Sequence, residues 1–173
     1  QHGGRGQAKR FVYISTTGVY GDRQGAWTVE TDTPRPLTDR AWRRVDAERQ
    51  VRFGTRAWRE TSPSSPATAR PHGGLHQPGV SALILRVPGI YAGDRLPLER
   101  LRQQVPVLTR EDDVITNHIH ADDLARICRT ALLRGPRQRI INAVDDTQMT
   151  LGDYMDAVAD VFGLARAPRR SRA

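Results

Sequence analysis

Cysteine, lysine and long apolar runs are all scarce in this sequence, and each shortage narrows the class of protein. The single cysteine, Cys128, excludes an internal disulfide and a cysteine-rich zinc site and is typical of a reducing compartment. The longest apolar run extends only from Val80 to Val87, whereas a bilayer span needs roughly 20 residues. We therefore expect a soluble, cytoplasmic protein with no membrane partner.

The net charge of +8 comes almost entirely from arginine, because Lys9 is the only lysine among 27 basic residues. Clustered basic residues interleaved with aromatics provide the phosphate affinity of nucleic-acid-binding proteins. Here the arginines are spread along the chain, and only residues 166–173 (RAPRRSRA) form a local basic cluster. This pattern favours a solvated basic surface, so we expect no nucleic-acid partner.

Composition divides the 173 residues into a lead-in, one domain and a basic tail. Residues 1–9 are glycine-rich and predict a flexible lead-in; their glycines precede the first strand, so they do not match a phosphate-binding loop. Residues 10–165 are predicted to form the domain, interrupted by a disordered loop at 60–79 that is rich in Pro, Ser and Gly. Residues 166–173 are the tail. The chain begins at Gln1 without Met or a secretory signal, so we expect either that its amino terminus was removed or that it is a piece of a longer protein.

Apolar periodicity and turn residues predict strands that alternate with helices. The predicted strands are Arg10 to Ser15, Val80 to Val87 and Arg139 to Val144. The predicted helices run from Thr38 to Phe53 with Gly54 as the stop, from Pro97 over LERLRQQ, from Leu124 to Leu133 with Asp123 as the cap, and from Thr150 to Gly163. This alternation predicts an α/β fold with a parallel sheet.

Three consecutive hydroxyl side chains, Ser15, Thr16 and Thr17, follow the first predicted strand. Ligands of open parallel sheets bind at the carboxyl ends of the strands, so these hydroxyls, with Pro88 and Gly89 after the next strand, are candidate binding residues. Alternatively, the hydroxyls satisfy backbone groups in the turn. The residues alone leave both interpretations open.

Four segments in order resemble the extended short-chain dehydrogenase/reductase family, in its NAD-dependent epimerase/dehydratase type. They are FVYISTTGVYGD, LILRVPGIYAGDR, NHIHADDLARI and IINAVDD, and together they span residues 11–146. The resemblance is to a divergent subgroup and implies a Rossmann-like, doubly wound parallel sheet with a small carboxyl-terminal substrate-side region. It also implies NAD or NADP as cofactor and a nucleotide sugar or related carbonyl or hydroxyl substrate, and it is compatible with a homodimer of the full-length protein.

The resemblance assigns a catalytic role to one residue and cofactor contacts to three. Thr16 corresponds to the hydroxyl residue that holds the substrate oxygen during hydride transfer. Val87 and Pro88 correspond to backbone beside the nicotinamide, and Arg44 to a residue that contacts the cofactor ribose. The family's Tyr-x-x-x-Lys pair is replaced by Arg40 and Arg44, and arginine cannot serve as a base because it stays protonated.

The substrate-side positions also depart from the family pattern. Tyr20 and Tyr91 are candidates for the missing phenol, although each also suits a packing role in a turn. The family's substrate-binding Asn falls on Gly89, and its nucleotide-phosphate Arg falls on Thr116. We place Tyr20 and Gly89 on the substrate side.

Two histidines, His118 and His120, and the following Asp122 and Asp123 allow a metal site. The resemblance instead implies that His120 and Asp123 are structural, and we expect no metal.

The family's glycine-rich pyrophosphate turn has no counterpart in residues 1–10. The first strand here therefore corresponds to about the fifth strand of the family sheet, and we expect an open sheet edge with exposed apolar residues. Two functions remain: half of an NAD(P)-dependent enzyme, or a dinucleotide-binding sensor or scaffold that has lost the Tyr-Lys pair.

Overall fold

The structure is a computed structural model of the chain, which describes residues 9–59, 80–136 and 138–172. The expected lead-in, apart from Lys9, and the expected loop at 60–79 lie outside the described residues. The chain divides into two compact units. The first unit falls within residues 1–22, 28–87 and 125–143, and the second within 23–27, 88–124 and 144–173.

The described residues form strands and helices in the following chain order: β1 (Lys9–Thr16), α1 (Asp39–Arg59), β2 (Val80–Val87), β3 (Gly89–Tyr91), α2 (Leu98–Arg102), β4 (Val107–Leu108), β5 (Ile115–Thr116), β6 (His118–His120), α3 (Ala121–Arg134), β7 (Arg139–Asn142), β8 (Met149–Thr150), α4 (Leu151–Val161) and β9 (Arg169–Arg170). A 3₁₀ turn, Thr17–Tyr20, follows β1 directly. No helix among these residues is long and apolar enough to cross a membrane.

The first unit is built on a parallel sheet with the strand order β1, β2, β7. Its central strand β2 has the bounds predicted from the apolar run, and Leu83, Ile84 and Leu85 on it are at most 3% exposed. Continuous apolar sequence suits a strand that is covered on both faces. The predicted α/β class with parallel strands is thereby confirmed.

Strand β1 lies at an edge of this sheet. Over the described ranges, β1 pairs with β2 alone, and Phe11 and Ile14 on it are 37% and 44% exposed. An unpaired edge with exposed apolar side chains offers backbone groups and apolar surface to a further strand. These features agree with the open edge expected from the sequence.

The predicted helix after Thr38 begins where expected but ends later. The Oγ1 atom of Thr38 accepts a hydrogen bond from the Ala41 amide at 3.2 Å, as an N-cap residue does. The helix then continues through Gly54 to Arg59, so the predicted stop at Gly54 is wrong. A glycine inside a helix costs only about 1 kcal/mol, which neighbouring residues with good helix propensity can offset.

The capping prediction for the third helix is also wrong, because α3 begins at Ala121 and Asp123 lies inside its first turn. The amide of Asp122 donates instead to Nδ1 of His120 at 3.2 Å. The fourth helix begins as predicted, since Thr150 Oγ1 accepts from the Asp153 amide at 3.1 Å.

The second unit packs α2 and α4 around a core of buried apolar side chains: Leu101, Val107, Met155, Val158, Ala159 and Ala167. The described residues of this unit also form three two-stranded pairings, β3 with β6, β4 with β9, and β5 with β8. Strand β9 comes from the stretch predicted as a basic tail. Arg169 on it donates to Asp156 at 2.5 Å and lies 3.4 Å from Asp113, so ion pairs fasten this stretch to the unit.

Candidate functional site

The three hydroxyls after β1 have different surroundings. Ser15 is 5% exposed, and its Oγ donates to Oε1 of Glu48 at 2.5 Å. Thr16 Oγ1 accepts from the Gly18 amide at 3.2 Å and caps the 3₁₀ turn. Thr17 is half-buried. The Ser15 hydroxyl therefore has a hydrogen-bond partner inside the first unit, and the turn uses one acceptor position of the Thr16 hydroxyl.

Thr16 and Val87 are neighbours at the carboxyl ends of adjacent parallel strands. The register of β1 against β2 pairs these two residues directly. Parallel strands present their carboxyl ends at one edge of the sheet, which is where ligands of such sheets bind. The structure thus brings together two of the predicted site residues, one assigned to catalysis and one to the cofactor.

Arg44 fastens α1 to β1. Its Nη1 donates to the Tyr13 hydroxyl at 3.0 Å and to the Ile14 carbonyl at 3.3 Å. Its guanidinium carbon also lies 5.8 Å from the centre of the Tyr13 ring. Arg40, one turn earlier on α1, is exposed. Both positions of the family's Tyr-Lys pair therefore hold cations on α1, and one of those cations contacts a strand.

Tyr20 is 4% exposed. Its hydroxyl donates to Oδ1 of Asn142 at 2.8 Å, and the Arg86 guanidinium lies 4.7 Å from its ring centre. These contacts hold the 3₁₀ turn against β2 and β7. The contacts of Tyr20 with Asn142 and Arg86 fit the packing role that the sequence also allowed. The assignment of Tyr20 to the substrate side stays a prediction.

A buried ion pair lies behind the carboxyl edge of the sheet, and sequence reasoning missed it. Arg86 on β2 and Glu48 on α1 are 2% and 3% exposed. Arg86 donates from Nη2 to Oε2 at 2.6 Å and from Nε to Oε1 at 3.1 Å. Burial alone would lower the pKa of Arg86. The hydrogen bonds with Glu48 and Tyr20 have the larger combined effect, so its pKa is raised above the ordinary value. The sequence held one indication of this ion pair, namely Arg86 within the apolar run of β2, because a buried charge needs a buried partner.

The other two predicted site residues, Pro88 and Gly89, belong to the second unit. The Gly89 amide donates to the Asn117 carbonyl at 3.3 Å. A Cβ atom at Gly89 would lie 3.1 Å from Cδ2 of His118. The absence of a side chain at this position, where the family has Asn, therefore leaves room for the imidazole of His118.

His118 and His120 have separate environments on β6. His118 is 8% exposed, its ring stacks on Tyr154 at 4.0 Å between centroids, and Tyr91 meets it edge-on at 6.3 Å. His120 holds the start of α3 through its bond from the Asp122 amide. Over residues 9–59, 80–136 and 138–172, no group of three His, Cys, Asp or Glu side chains is placed to hold a metal ion.

Comparison with known proteins identifies the fold. A conserved protein of unknown function from Silicibacter pomeroyi matches with a TM-score of 0.71 and 26% identity, over 94% of this chain and 49% of that one. An NAD-dependent epimerase/dehydratase from Methylobacillus flagellatus, described as putative, matches with a TM-score of 0.60 and 24% identity, over 95% of this chain and 50% of that one.

A third solved structure is the UDP-glucuronic acid 4-epimerase from Bacillus cereus in complex with NAD. It matches with a TM-score of 0.65 and 17% identity, over 92% of this chain and 49% of that one. No protein-family model matches the chain. No curated protein sequence matches it either.

The chain spans about half the length of the solved structures it matches. Its fold is that of part of an extended short-chain dehydrogenase/reductase, and it fits the carboxyl-terminal half. The resemblance carried by the four sequence segments is therefore confirmed at the level of the fold.

Proposed function

We propose that this chain is the carboxyl-terminal half of an NAD(P)-linked oxidoreductase or isomerase domain that acts on a nucleotide sugar or a related carbonyl or hydroxyl compound. The observation that carries the proposal is the pairing of Thr16 with Val87 at the carboxyl edge of a parallel sheet. The solved neighbours supply the context, since one is an epimerase in complex with NAD. An amino-terminal half would add the glycine-rich turn that takes the pyrophosphate.

Thr16 is the residue with a direct chemical role in this proposal. A threonine hydroxyl offers one donor and two acceptor positions. The bond from the Gly18 amide uses an acceptor position, which leaves the hydroxyl proton for a substrate oxygen. Thr16 would hold that oxygen while hydride moves between its carbon and the nicotinamide. The backbone at Val87 and Pro88 would line the nicotinamide, and Gly89 and Tyr20 would lie on the substrate side.

A second function, dinucleotide binding without turnover, is favoured by the contacts of α1. The guanidinium of Arg44 is held by Tyr13 and Ile14, and Arg40 stands where the family has its phenol. Neither side chain can exchange a proton near neutral pH. Arg44 could still place positive charge beside a cofactor ribose, as a sensor or scaffold would need. In either function we place the protein in the cytoplasm, and we expect α1 to contribute to a homodimer of the full-length form.

Hydride exchange distinguishes the two functions. The protein would be extended upstream in its gene through the first glycine-rich turn and incubated with deuterated NADH and candidate sugar nucleotides, while cofactor binding is followed by calorimetry. Exchange together with binding supports the enzyme, and binding without exchange supports the sensor. A gene without such a turn upstream contradicts both.

The role of Thr16 is tested by a matched pair of variants in the same extended protein. Thr16→Val should lower the exchange rate about 10²-fold, the lower end of the contribution of positioned proton-transfer groups. Thr17→Val makes the same change at the next hydroxyl and should leave the rate nearly unchanged. Equal losses in the two variants, or no loss in either, would remove Thr16 from the chemistry.

A further inference from the structure

Buried polar side chains join the two strands of the candidate site, one residue behind its edge. Ser15 and Arg86 directly precede Thr16 and Val87, and the register of β1 against β2 makes Ser15 and Arg86 neighbours. Both contact Glu48 of α1. Arg86 donates to Oε2 at 2.6 Å and to Oε1 at 3.1 Å, and Ser15 donates to Oε1 at 2.5 Å. One carboxylate therefore ties β1 to β2 immediately before the candidate site residues.

The same contacts continue to β7 and to the 3₁₀ turn. The Arg86 guanidinium carbon lies 4.7 Å from the centre of the Tyr20 ring, and the Tyr20 hydroxyl donates to Oδ1 of Asn142 at 2.8 Å. Asn142 is the register neighbour of Arg86 on β7, and Tyr20 is the last residue of the turn that Thr16 caps. We name these residues of the first unit the Glu48 cluster: Ser15, Tyr20, Glu48, Arg86 and Asn142.

Stability alone does not explain why charged residues occupy this place. Ile84, two residues before Arg86 and on the same face of β2, is fully buried and packs against Val51 of α1, so an apolar side chain would suit position 86 as well. Replacing a whole buried ion pair by apolar residues of similar volume is often neutral or stabilising. Hydrogen bonds fix direction as well as distance, whereas apolar cores can repack. The Glu48 cluster therefore contributes a directional constraint.

This constraint reaches Thr16 along the backbone. Successive side chains of a strand point to opposite faces, so fixing the residues before them sets the backbone from which Thr16 and Val87 point. Thr16 has extended backbone angles, and its Oγ1 accepts from the Gly18 amide at 3.2 Å. Groups that act on a reacting atom have to be held within about 0.5 Å of the productive geometry. The Glu48 cluster holds both the strand before Thr16 and the end of the turn after it.

We propose that Glu48 and Arg86 are positioning residues, which keep the Thr16 hydroxyl at a fixed place relative to the Val87 backbone without themselves touching substrate or cofactor. The consequence for turnover rests on the function proposed above for Thr16, whereas the positioning is measurable without turnover. Loss of the pair leaves Thr16 in the site but allows its side chain more than one conformation.

NMR of the chain measures the positioning directly. Three-bond couplings report the χ1 angle of Thr16, and solvent exchange reports the protection of the Gly18 amide. In the unsubstituted chain we expect one χ1 rotamer and a protected amide. In the double variant Glu48→Leu with Arg86→Met we expect several rotamers and about fivefold less protection, which is the value of one hydrogen bond.

Two further variants separate positioning from stability. Ile84→Ala removes apolar packing in the same unit and lowers its stability, but it leaves the Glu48 cluster intact, so Thr16 should keep its single rotamer. Ser15→Ala removes only the bond from Ser15 to Glu48 and should loosen Thr16 less than the double variant does. Because Ser15→Ala is a small change, it decides the question if the double variant does not fold.

Turnover supplies a second readout in the protein extended upstream. The double variant should lower the rate of hydride exchange at saturating substrate and cofactor about tenfold, because misplaced groups lose contacts with the transition state. The affinity for NADH should stay within about twofold, and Ile84→Ala should change neither quantity. An unsubstituted extended protein that does not exchange would contradict the enzymatic function, and the NMR result on Thr16 then decides the positioning separately.

Three results would overturn the proposal. The first is a folded double variant in which Thr16 keeps one rotamer and Gly18 keeps its protection. The second is a Ser15→Ala variant in which neither residue changes. The third is equal loosening of Thr16 in Ile84→Ala, which would assign the effect to a general loss of stability.

Discussion

Replacing Glu48 by glutamine would leave the Arg86 guanidinium buried without its counter-charge. Both side chains are nearly inaccessible, and two hydrogen bonds of 2.6 and 3.1 Å join them. Removing one member of a buried ion pair costs about 3–5 kcal/mol, because the remaining charge stays out of water. A domain is commonly stable by about 5–15 kcal/mol in total. We therefore expect Glu48→Gln to remove a large share of the stability of the first unit.

Urea unfolding, followed by circular dichroism, measures this loss. A loss of about 4 kcal/mol, divided by a slope of about 2 kcal/mol per molar urea, lowers the midpoint by about 2 M. Glu99→Gln is the matched control, because Glu99 pairs with Arg102 at 3.8 Å while both side chains are more than half exposed. That change should cost at most about 1 kcal/mol.

The double variant Glu48→Leu with Arg86→Met separates charge from packing. Replacing a whole buried ion pair by apolar residues is often neutral or stabilising, so the double variant should recover most of the loss in Glu48→Gln. A cost of less than about 1 kcal/mol in Glu48→Gln, or a double variant as unstable as the single one, would show that the ion pair does not stabilise the first unit in this way.

Two further predictions concern the second unit. Gly152→Ala should lower the free energy of unfolding by about 1–3 kcal/mol, because a Cβ atom there would collide with the Arg169 guanidinium. Gly93→Ala is the control, because there is open space around Gly93. Equal free energies of unfolding for the two variants would contradict this prediction. Stability should also fall as the pH is lowered through about 6.5, the pKa of an unfolded histidine, since burial lowers the pKa of His118 and the unfolded state binds the proton more readily. Urea titrations between pH 7.5 and 5 should show a smaller decline in His118→Phe, and an unchanged decline would assign it to other groups.

Local chemistry was sufficient to predict the strands and helix starts with strong signals. The apolar run Val80–Val87 predicted both ends of β2, because a strand that is covered on both faces is built from nearly continuous apolar sequence. Thr38 and Thr150 both cap helices as predicted. The stop at Gly54 was predicted wrongly, because the cost of one helical glycine is small beside the stability of the rest of α1.

The parts that sequence reasoning missed depend on contacts between distant residues. Glu48 and Arg86 are separated by 38 positions, and a glutamate within a helix rich in charges has the pattern of a solvated residue. The rings of His118 and Tyr154 stack on each other, although the two residues lie on different elements and share no sequence motif. The strands β4, β5, β8 and β9 have two residues each, too few for an alternation pattern to appear.

The family resemblance supplied what the residues alone left open, namely which of the three hydroxyls to choose. The structure gives Ser15 an internal partner and leaves Thr16 beside Val87. This arrangement is compatible with the assignment of Thr16, while the substitutions at Arg40 and Arg44 keep the sensor function open. The catalytic role of Thr16 stays a prediction until exchange is measured.

Calorimetric titration of NAD(H) and NADP(H) tests the central claim most directly. The titration is made into this chain and into the same chain extended upstream through the glycine-rich turn. We expect heat of binding with the extended protein and none with the short chain, because the glycine-rich turn proposed to hold the pyrophosphate lies in the added half. Micromolar binding by the short chain would contradict the account, since the pyrophosphate would then be held by residues assigned here to other roles.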